Sequence, residues 1–215
     1  MIVVILGPDG SGKSTIAEIL QKSYKLSSGQ IILNHSIKLK DINIESWRKL
    51  IGVVPQEVTL FNGNLLSNII LGDEVNPQKI EEFLQEYEFD KFIQMLPQGL
   101  ATIVGEEGIN LSGGQKQMLG LMRALYKNPQ FLILDEFTSA MDRLTENFAM
   151  DCISKIKSEI GVLFITHRLG IAPRLADQIS VLENKSVTLT GSHHELLNRQ
   201  NFYSEYWKEL FRLAQ

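Results

Sequence analysis

Hydrophobic residues in this chain occur in short runs that are separated by polar turns and by segments of helical pattern. The runs at 2–6, 51–54, 131–135, 161–166 and 178–183 are four to six residues long and mostly aliphatic. Such runs are typical of strands that are buried on both faces of a parallel sheet. Because helical segments lie between several of them, the pattern predicts an α/β fold with a mostly parallel central sheet.

The segment between about 63 and 128 has a different pattern. Apolar residues recur there at three- and four-residue spacing, and no run resembles a strand. We therefore predict an inserted helical subdomain that ends with the helix after "LSGGQ" (111–115). The chain from Ser192 is also predicted to be helical, with Ser192 and Glu195 as a capping box. Since no linker or repeat interrupts the pattern, residues 1–215 are predicted to form one domain that contains this subdomain.

The first predicted strand leads into a glycine-rich loop, "GPDGSGKST". A strand before the loop and a helix from about Lys13 are the context that a phosphate-binding P-loop requires, and a glycine turn that binds nothing is the weaker alternative. Glycines let backbone N–H groups surround phosphates, Lys13 supplies positive charge, and the Ser14 hydroxyl suits Mg²⁺. The fold class predicted is a P-loop NTPase. Its phosphate-binding residues are predicted to be Gly7, Pro8, Asp9, Gly10, Ser11, Gly12, Lys13, Ser14 and Thr15.

Two acids and a histidine follow other predicted strands. Asp135 and Glu136 stand at the carboxyl end of the run at 131–135, where ligands of parallel sheets bind. We predict that Asp135 binds Mg²⁺ and that Glu136 orients or deprotonates the attacking water; the alternative for Glu136 is a solvated acid without function. His167 follows the run at 161–166 and can reach the same edge.

The remaining histidines and the single cysteine are predicted to be structural. His35 lies in a polar turn, and His193 and His194 lie in the first turn of the capped helix, where solvation is favoured over metal binding. Cys152 is predicted to be packed rather than reactive. One cysteine excludes an internal disulfide.

Composition narrows the classes of partner. A hydrophobic fraction of 44% in 215 residues permits a sizeable core. The formal net charge of -4 gives no overall attraction to nucleic acid, which is not predicted as a partner. Because the longest apolar runs are far shorter than the roughly 20 residues of a membrane-spanning helix, a membrane role would require a partner.

Six segments, in this order, resemble the nucleotide-binding domain of ATP-binding cassette (ABC) transporters, and the resemblance covers nearly the whole chain. They are Walker A (7–15), the glutamine loop "VVPQ" with Gln56, the signature "LSGGQ" (111–115), Walker B "FLILDE" (131–136), the D-loop "TSAMD" with Asp142, and "ITHR" with His167. The resemblance implies an ATPase that uses ATP and Mg²⁺. Glu136 would be the base, and Gln56 and His167 would contact the γ-phosphate and the metal.

The signature is a second helix start that is suited to an anion. The resemblance implies that two such domains, identical or different, pair head to tail and that each signature caps the ATP of the other. The residues implied are Ser112, Gly113, Gly114 and Gln115, with Asp142 beside the shared nucleotide. The positive end of a helix dipole gives this contact a physical basis.

Finer features resemble exporters. "VGEEG" (104–108) resembles the exporter X-loop, and "LFNGNLLSNI" (60–69) resembles the segment that faces transmembrane domains. These features imply transmembrane partner domains and a location on the cytoplasmic face of the cell membrane. The sequence around Gln56 is similar to that of transporters that secrete peptides, bacteriocins or toxins. We therefore predict that the cargo is of this kind.

Two departures from the family are visible. The chain starts six residues before Gly7, without the family's β-rich lead segment and its adenine-stacking aromatic. We expect a fragment of a longer transporter or another way of holding adenine, and a weakened ATP affinity, since base stacking is worth about 1–3 kcal/mol. Met118 stands where the family usually has arginine, which affects a local contact.

Two other classes remain open. A small-molecule kinase would use the same phosphate loop, but it has no use for "LSGGQ". A regulatory module that binds ATP without turnover would tolerate the loss of Glu136 or His167, and both are present.

Overall fold

The computed structural model describes residues 1–106 and 108–213. Every strand predicted from the buried apolar runs is present with the predicted bounds. The strands in chain order are β1 Ile2–Leu6, β2 Ile32–Leu33, β3 Ile37–Lys38, β4 Ile51–Val54, β5 Gly63–Asn64, β6 Ile103–Val104, β7 Phe131–Asp135, β8 Gly161–Thr166, β9 Gln178–Glu183 and β10 Ser186–Gly191.

Helices connect most of these strands, and three of them begin with a side-chain cap from asparagine, one with a cap from aspartate and two with a capping box from serine. Such caps satisfy first-turn N–H groups that have no partner within the helix. The helices are α1 Lys13–Leu20, α2 Ile44–Leu50, α3 Leu65–Ile70, α4 Pro77–Glu86, α5 Asp90–Ile93, α6 Gly113–Tyr126, α7 Arg143–Ile156, α8 Ala172–Leu175, α9 His193–Leu197 and α10 Phe202–Leu213.

The central sheet has the strand order β10-β9-β1-β8-β7-β4. Its strands are parallel except for β10, which pairs antiparallel with β9 at one edge. The prediction of an α/β fold with a mostly parallel sheet is confirmed. Because β1, β7 and β8 are neighbours, the loops at their carboxyl ends meet at one edge of the sheet.

Apolar side chains cover both faces of the sheet, because successive residues of a strand point to opposite sides. On β1, Val4 and Leu6 belong to the larger buried cluster, whereas Ile5 belongs to a second cluster with Ala17 of α1. Burial on both faces explains why these strands are continuous apolar runs in the sequence.

The region between about 63 and 128 is mainly helical, as predicted, but the expectation that it contains no strand is wrong. β5 pairs with β6 through Gly63↔Val104 and Asn64↔Ile103. A pair of two-residue strands is too short to produce an alternating pattern. An aromatic cluster packs α4 against α6 and α7, with members Phe83, Tyr87, Phe89, Tyr126 and Phe148. The extent of the subdomain stays a prediction.

The C-terminal region contains the predicted capping box. The Ser192 hydroxyl accepts from the N–H of Glu195, and the Glu195 carboxylate accepts from the N–H of Ser192. Across the part of the chain that the structure describes, the helices are too short or too polar to span a bilayer.

Candidate nucleotide-binding site

The loop between β1 and α1 has a conformation that requires glycine. Gly10 has φ 75° and Gly12 has φ 102°, values that strain any residue with a Cβ. A Cβ on Gly7 would clash with the carbonyl oxygen of Leu182 on β9. Gly12 is also the N-cap residue of α1, and no side chain caps this helix. The first-turn N–H groups of α1 therefore remain available to a ligand.

Lys13 is buried at the centre of this loop. Its Nζ donates to the carbonyl oxygens of Gly7 at 2.9 Å and Pro8 at 3.0 Å, and the exposed carboxylate of Asp9 lies 3.9 Å away. Backbone carbonyls thus hold the ammonium group in place, and the ion pair with Asp9 is a longer contact to an exposed carboxylate. The hydroxyl of Ser11 is buried beside it and has no hydrogen-bond partner within the described residues. Both features suit a phosphate group.

Ser14 and Asp135 come together although they are 121 residues apart in the sequence. The Ser14 hydroxyl donates to a carboxylate oxygen of Asp135 at 3.4 Å. Burial raises the pKa of Asp135, and the Ser14 hydrogen bond opposes this shift. A hydroxyl and a carboxylate beside a phosphate loop are the oxygen ligands that Mg²⁺ prefers, so the residues fit Mg²⁺ bound with a nucleotide.

Glu136 has a strained backbone and a buried carboxylate. Its φ of 48° lies in the left-handed region, which is uncommon for a non-glycine residue and is frequent at functional sites. Its Oε2 is 2.9 Å from Nδ1 of His167, although this oxygen accepts no well-aligned hydrogen bond. The His167 side chain is half exposed. The pair is therefore held together and still open to a ligand.

A cavity of about 480 Å³ joins the phosphate loop with Gln56, Glu136 and His167. Its walls come from the phosphate loop, the end of β4, the end of β7 and the end of β8, which the parallel topology brings to one edge. Its lining residues are Asp9, Gly10, Gly12, Lys13, Ser14, Thr15, Gln56, Glu136 and His167. Gly7 and Pro8 line an adjoining cavity of about 200 Å³ together with His167.

Residues 112–115 are not among the residues that line either cavity. Ser112 is the exposed N-cap of α6, and its hydroxyl accepts from the N–H of Gln115 at 3.2 Å. The Gln115 amide oxygen accepts from the N–H of Ser112 at 2.8 Å, which completes a capping box. The second helix start is therefore capped by its own side chains.

The signature glycines pack against the D-loop of the same chain. A Cβ on Gly113 would lie 2.7 Å from Cβ of Ala140, and one on Gly114 would lie 3.2 Å from Cα of Met141. Asp142 is the exposed N-cap of α7, and the N–H of Thr145 holds the pKa of its carboxyl below the usual value. The two segments thus form one surface apart from the cavity.

The other predictions have mixed outcomes. His35 lies in an exposed turn and Cys152 is packed, with burial raising its pKa to about 12, both as predicted. His194 is exposed, whereas His193 is partly buried and its Nδ1 lies 2.6 Å from the Tyr203 hydroxyl, a contact that the sequence did not predict. Met118 is fully buried in the core. Glu107 of the predicted X-loop lies outside the described residues.

Two polar residues near the site were not identified from the sequence. Arg168 donates to the carbonyl oxygen of Thr138 at 2.8 Å and pairs with Glu146, which ties the loop after His167 to the D-loop. The Gln117 side chain donates to the backbone carbonyl oxygens of Pro55 and Gln56. These contacts join distant parts of the chain, and no local sequence pattern indicates them.

Comparisons with known proteins agree with this geometry. A family model described as ABC transporter matches residues 1–139. The mitochondrial iron-sulfur clusters transporter atm1 of Aspergillus fumigatus is 40% identical over 206 residues, which cover 94% of this chain and 28% of that protein. The ATP-dependent lipid A-core flippase of Coxiella burnetii is 37% identical over 212 residues, 98% of this chain and 36% of the flippase.

A solved structure is also similar. The structure of a bacterial Atm1-family ABC exporter with ATP bound matches with a TM-score of 0.88 and 36% identity, over 100% of this chain and 37% of the exporter chain. The chain thus spans between 28% and 37% of the length of these relatives. The family model alone covers more than half of the chain. This chain belongs to the ABC transporter family.

Proposed function

We propose that this chain is the ATP-binding and ATP-hydrolysing part of an ABC exporter. The observation that carries the proposal is the single cavity that joins the phosphate loop with Gln56, Glu136 and His167. Phosphate binding requires only the loop. Hydrolysis also requires a group that orients water for attack on the γ-phosphate, opposite the leaving ADP. Glu136 and His167 supply this group at the same edge of the sheet.

Each side chain has a role that follows from its position. Lys13 faces the β- and γ-phosphates, since backbone carbonyls already hold its ammonium in the loop. Ser14 and Asp135 would hold Mg²⁺, which would supply positive charge against the phosphates. Glu136 would accept a proton from the attacking water, and Nδ1 of His167 lies 2.9 Å from its carboxylate. His167 and Gln56, which line the same cavity, would contact the γ-phosphate and the metal.

We further propose that two chains, identical or related, enclose two ATP molecules. Ser112, Gly113, Gly114 and Gln115 begin a long helix with an exposed N-cap, yet they do not line the cavity of their own chain. In a two-fold symmetric pair, the same patch on each chain can face the cavity of the other. Asp142 lies on the same surface, because the signature glycines pack against the D-loop. ATP would then be shared between the chains.

Transmembrane domains are the proposed partners, and the cytoplasmic face of a membrane is the proposed location. The relatives are named as a transporter and a flippase, and each relative is much longer than this chain. The substrates that these names give are iron-sulfur clusters and lipid A-core. Peptides and toxins are not among them, so the predicted cargo stays a prediction. The proposal includes no nucleic acid.

Phosphate release tests the hydrolysis proposal against a phosphotransferase. The chain at millimolar Mg-ATP should release inorganic phosphate without an added acceptor, because water is the nucleophile that Glu136 activates. The Glu136→Gln variant should bind Mg-ATP with the wild-type affinity and release phosphate far more slowly. Transfer of the γ-phosphate to a small molecule, with no release in its absence, would contradict the proposal and favour a kinase. Equal release by the variant would remove Glu136 from the chemistry.

A further inference from the structure

One face of α6 contacts the segment that follows β4 over the length of that segment. Gln117, Gly120 and Arg123 are three residues apart and therefore share this face. Arg123 donates to the carbonyl oxygen of Thr59, and its other donors reach Asn68 of α3. The segment between residues 54 and 61 is thereby fixed against the helix at its far end.

Gly120 lets the helix approach this segment closely. A Cβ at this position would lie 2.8 Å from Cγ2 of Val58 and 3.0 Å from Cγ1 of Val54. Since real side chains do not tolerate such distances, glycine at this position is what lets α6 pack closely against the segment after β4. A shift of the helix would therefore move the loop with it.

Gln117 makes the contact nearest to the nucleotide cavity. Its Nε2 donates to the carbonyl oxygens of Gln56 at 2.6 Å and Pro55 at 3.3 Å. The side chain is only 3% exposed, and its Oε1 accepts no hydrogen bond from the described residues. The donor contacts to the loop are therefore the polar interactions that hold this buried amide in place.

The backbone of Gln56 determines where its side chain can reach. Gln56 is an exposed residue that lines the cavity together with Lys13 and Glu136, while its backbone carbonyl oxygen accepts the hydrogen bond from Gln117. We propose that Gln117 is a positioning residue that holds the Gln56 backbone so that the Gln56 side chain faces the γ-phosphate. This inference rests on the proposed ATPase function.

The same helix begins at the signature, only five residues before Gln117. A rise of about 1.5 Å per residue places this contact within about two turns of the helix start. A partner's nucleotide held at residues 112–115 thus acts on the same rigid element that positions Gln56 for this chain's own nucleotide. Gln117 would therefore link the two nucleotide sites within one chain.

Hydrogen exchange of the loop is the first test, and it needs no turnover. Gln117→Met keeps a similar volume without donors, and Gln117→Asn keeps an amide that is one methylene too short. With either variant, peptides covering residues 53–60 should exchange about tenfold faster, whereas residues 131–135 on β7 should not change. Met118→Leu is the matched control, since Met118 is equally buried and makes no polar contact with the loop. Unchanged exchange at 53–60 in both Gln117 variants would overturn the proposal.

Hydrolysis kinetics are the second test, because a purely structural residue would not act through Gln56. Gln117→Met should lower kcat about 10- to 100-fold, as expected for a misplaced contact, while the Kd for Mg-ATP by calorimetry stays within about threefold of wild type. Combined with Gln56→Ala, it should cause no further loss. Losses that multiply would overturn the proposal. A wild-type chain that releases no phosphate would refute the hydrolysis proposal instead, and exchange at 53–60 would still decide whether Gln117 holds the loop.

Discussion

The two helix starts that suit an anion are built in opposite ways. α1 begins at Gly12, a left-handed N-cap without a side-chain hydrogen bond, and the buried Ser11 hydroxyl beside it has no partner among the described residues. α6 begins at Ser112, whose hydroxyl and backbone N–H are both satisfied by Gln115. The first start is left open by its sequence, whereas the second is closed by its own side chains.

This difference indicates how each start can bind a ligand. The open donors of α1 sit beside a buried ammonium, so a phosphate gains new hydrogen bonds without displacing others. At α6 a ligand gains less, because it has to supplement or replace bonds that the cap already makes. The signature therefore suits a nucleotide that another chain already holds, and it is a poor binding site by itself.

The largest expected effect belongs to Glu136 in the open site. Glu136→Gln should slow phosphate release about 10²–10⁴-fold, the usual contribution of general acid–base catalysis, while Mg-ATP affinity is retained. Because bound ATP then persists, light scattering at millimolar Mg-ATP should detect a dimer. A variant that hydrolyses ATP at the wild-type rate would contradict the role of Glu136.

The second effect contrasts the affinities of the two helix starts for nucleotide. Lys13→Met should weaken Mg-ATP binding to the single chain about 10- to 100-fold, the loss of about 1.5–3 kcal/mol for a charge-assisted contact. Ser112→Ala should leave this affinity within about twofold, because Ser112 does not line the cavity. Calorimetry below the dimerisation range measures both. Equal losses would mean that the signature binds nucleotide within its own chain.

The third effect contrasts the N-cap residues of the two helices, Gly12 and Ser112, in stability. Gly12→Ala should lower the free energy of unfolding by about 1–2 kcal/mol, because alanine is strained at φ 102° although there is space for its Cβ. Ser112→Ala should cost about 1 kcal/mol through the lost cap. Urea denaturation without nucleotide compares them. No loss at Ser112 would indicate that the capping box does not stabilise α6 in solution.

The smallest effect concerns pH at the open site. Burial raises the pKa of Asp135 above its usual value of 3.8, so folding disfavours the charged carboxylate. The destabilisation from this residue is absent below pH 3.8, grows as pH rises from there to the higher folded pKa, and is fully present above it. Asp135→Asn should therefore have a higher Tm than wild type at neutral pH, with weaker Mg²⁺-dependent nucleotide binding. Melting curves that differ equally at pH 3 and pH 7 would contradict this origin.

Much of the fold was predictable because parallel strands are buried on both faces. The strands β1, β4, β7 and β8 are largely continuous apolar runs, β9 alternates apolar and polar residues in part, and the bounds of all five coincide with the predicted segments. β10 was missed, since it is an edge strand whose side chains are largely exposed. Its hairpin turn, Asn184 and Lys185, lacks the glycine that usually marks such a turn.

The cavity was predictable for a related reason. Glu136 and His167 directly follow the parallel strands β7 and β8, and topology alone brings the ends of these strands together. The contact between Gln117 and Gln56 was not predictable, because it spans 61 residues and depends on how α6 packs. The capping box of Ser112 and Gln115 has the same spacing as that of Ser192 and Glu195, so the sequence pattern could have revealed it in the same way.

Mixing two defective variants tests most directly whether the nucleotide site is shared between chains. A Lys13→Met chain has a defective loop and an intact signature, and a Ser112→Arg chain has the reverse. In a head-to-tail pair of the two, one site combines both defects and the other combines the intact loop with the intact signature.

Phosphate release is measured at millimolar Mg-ATP for each variant alone and for their equimolar mixture, with wild type as reference. We predict almost no phosphate release by either variant alone. In the mixture, release should recover to about a quarter of the wild-type rate, since about half of the pairs are mixed and each mixed pair has one intact site of two. A mixture that releases no more phosphate than its separate components would contradict the shared site.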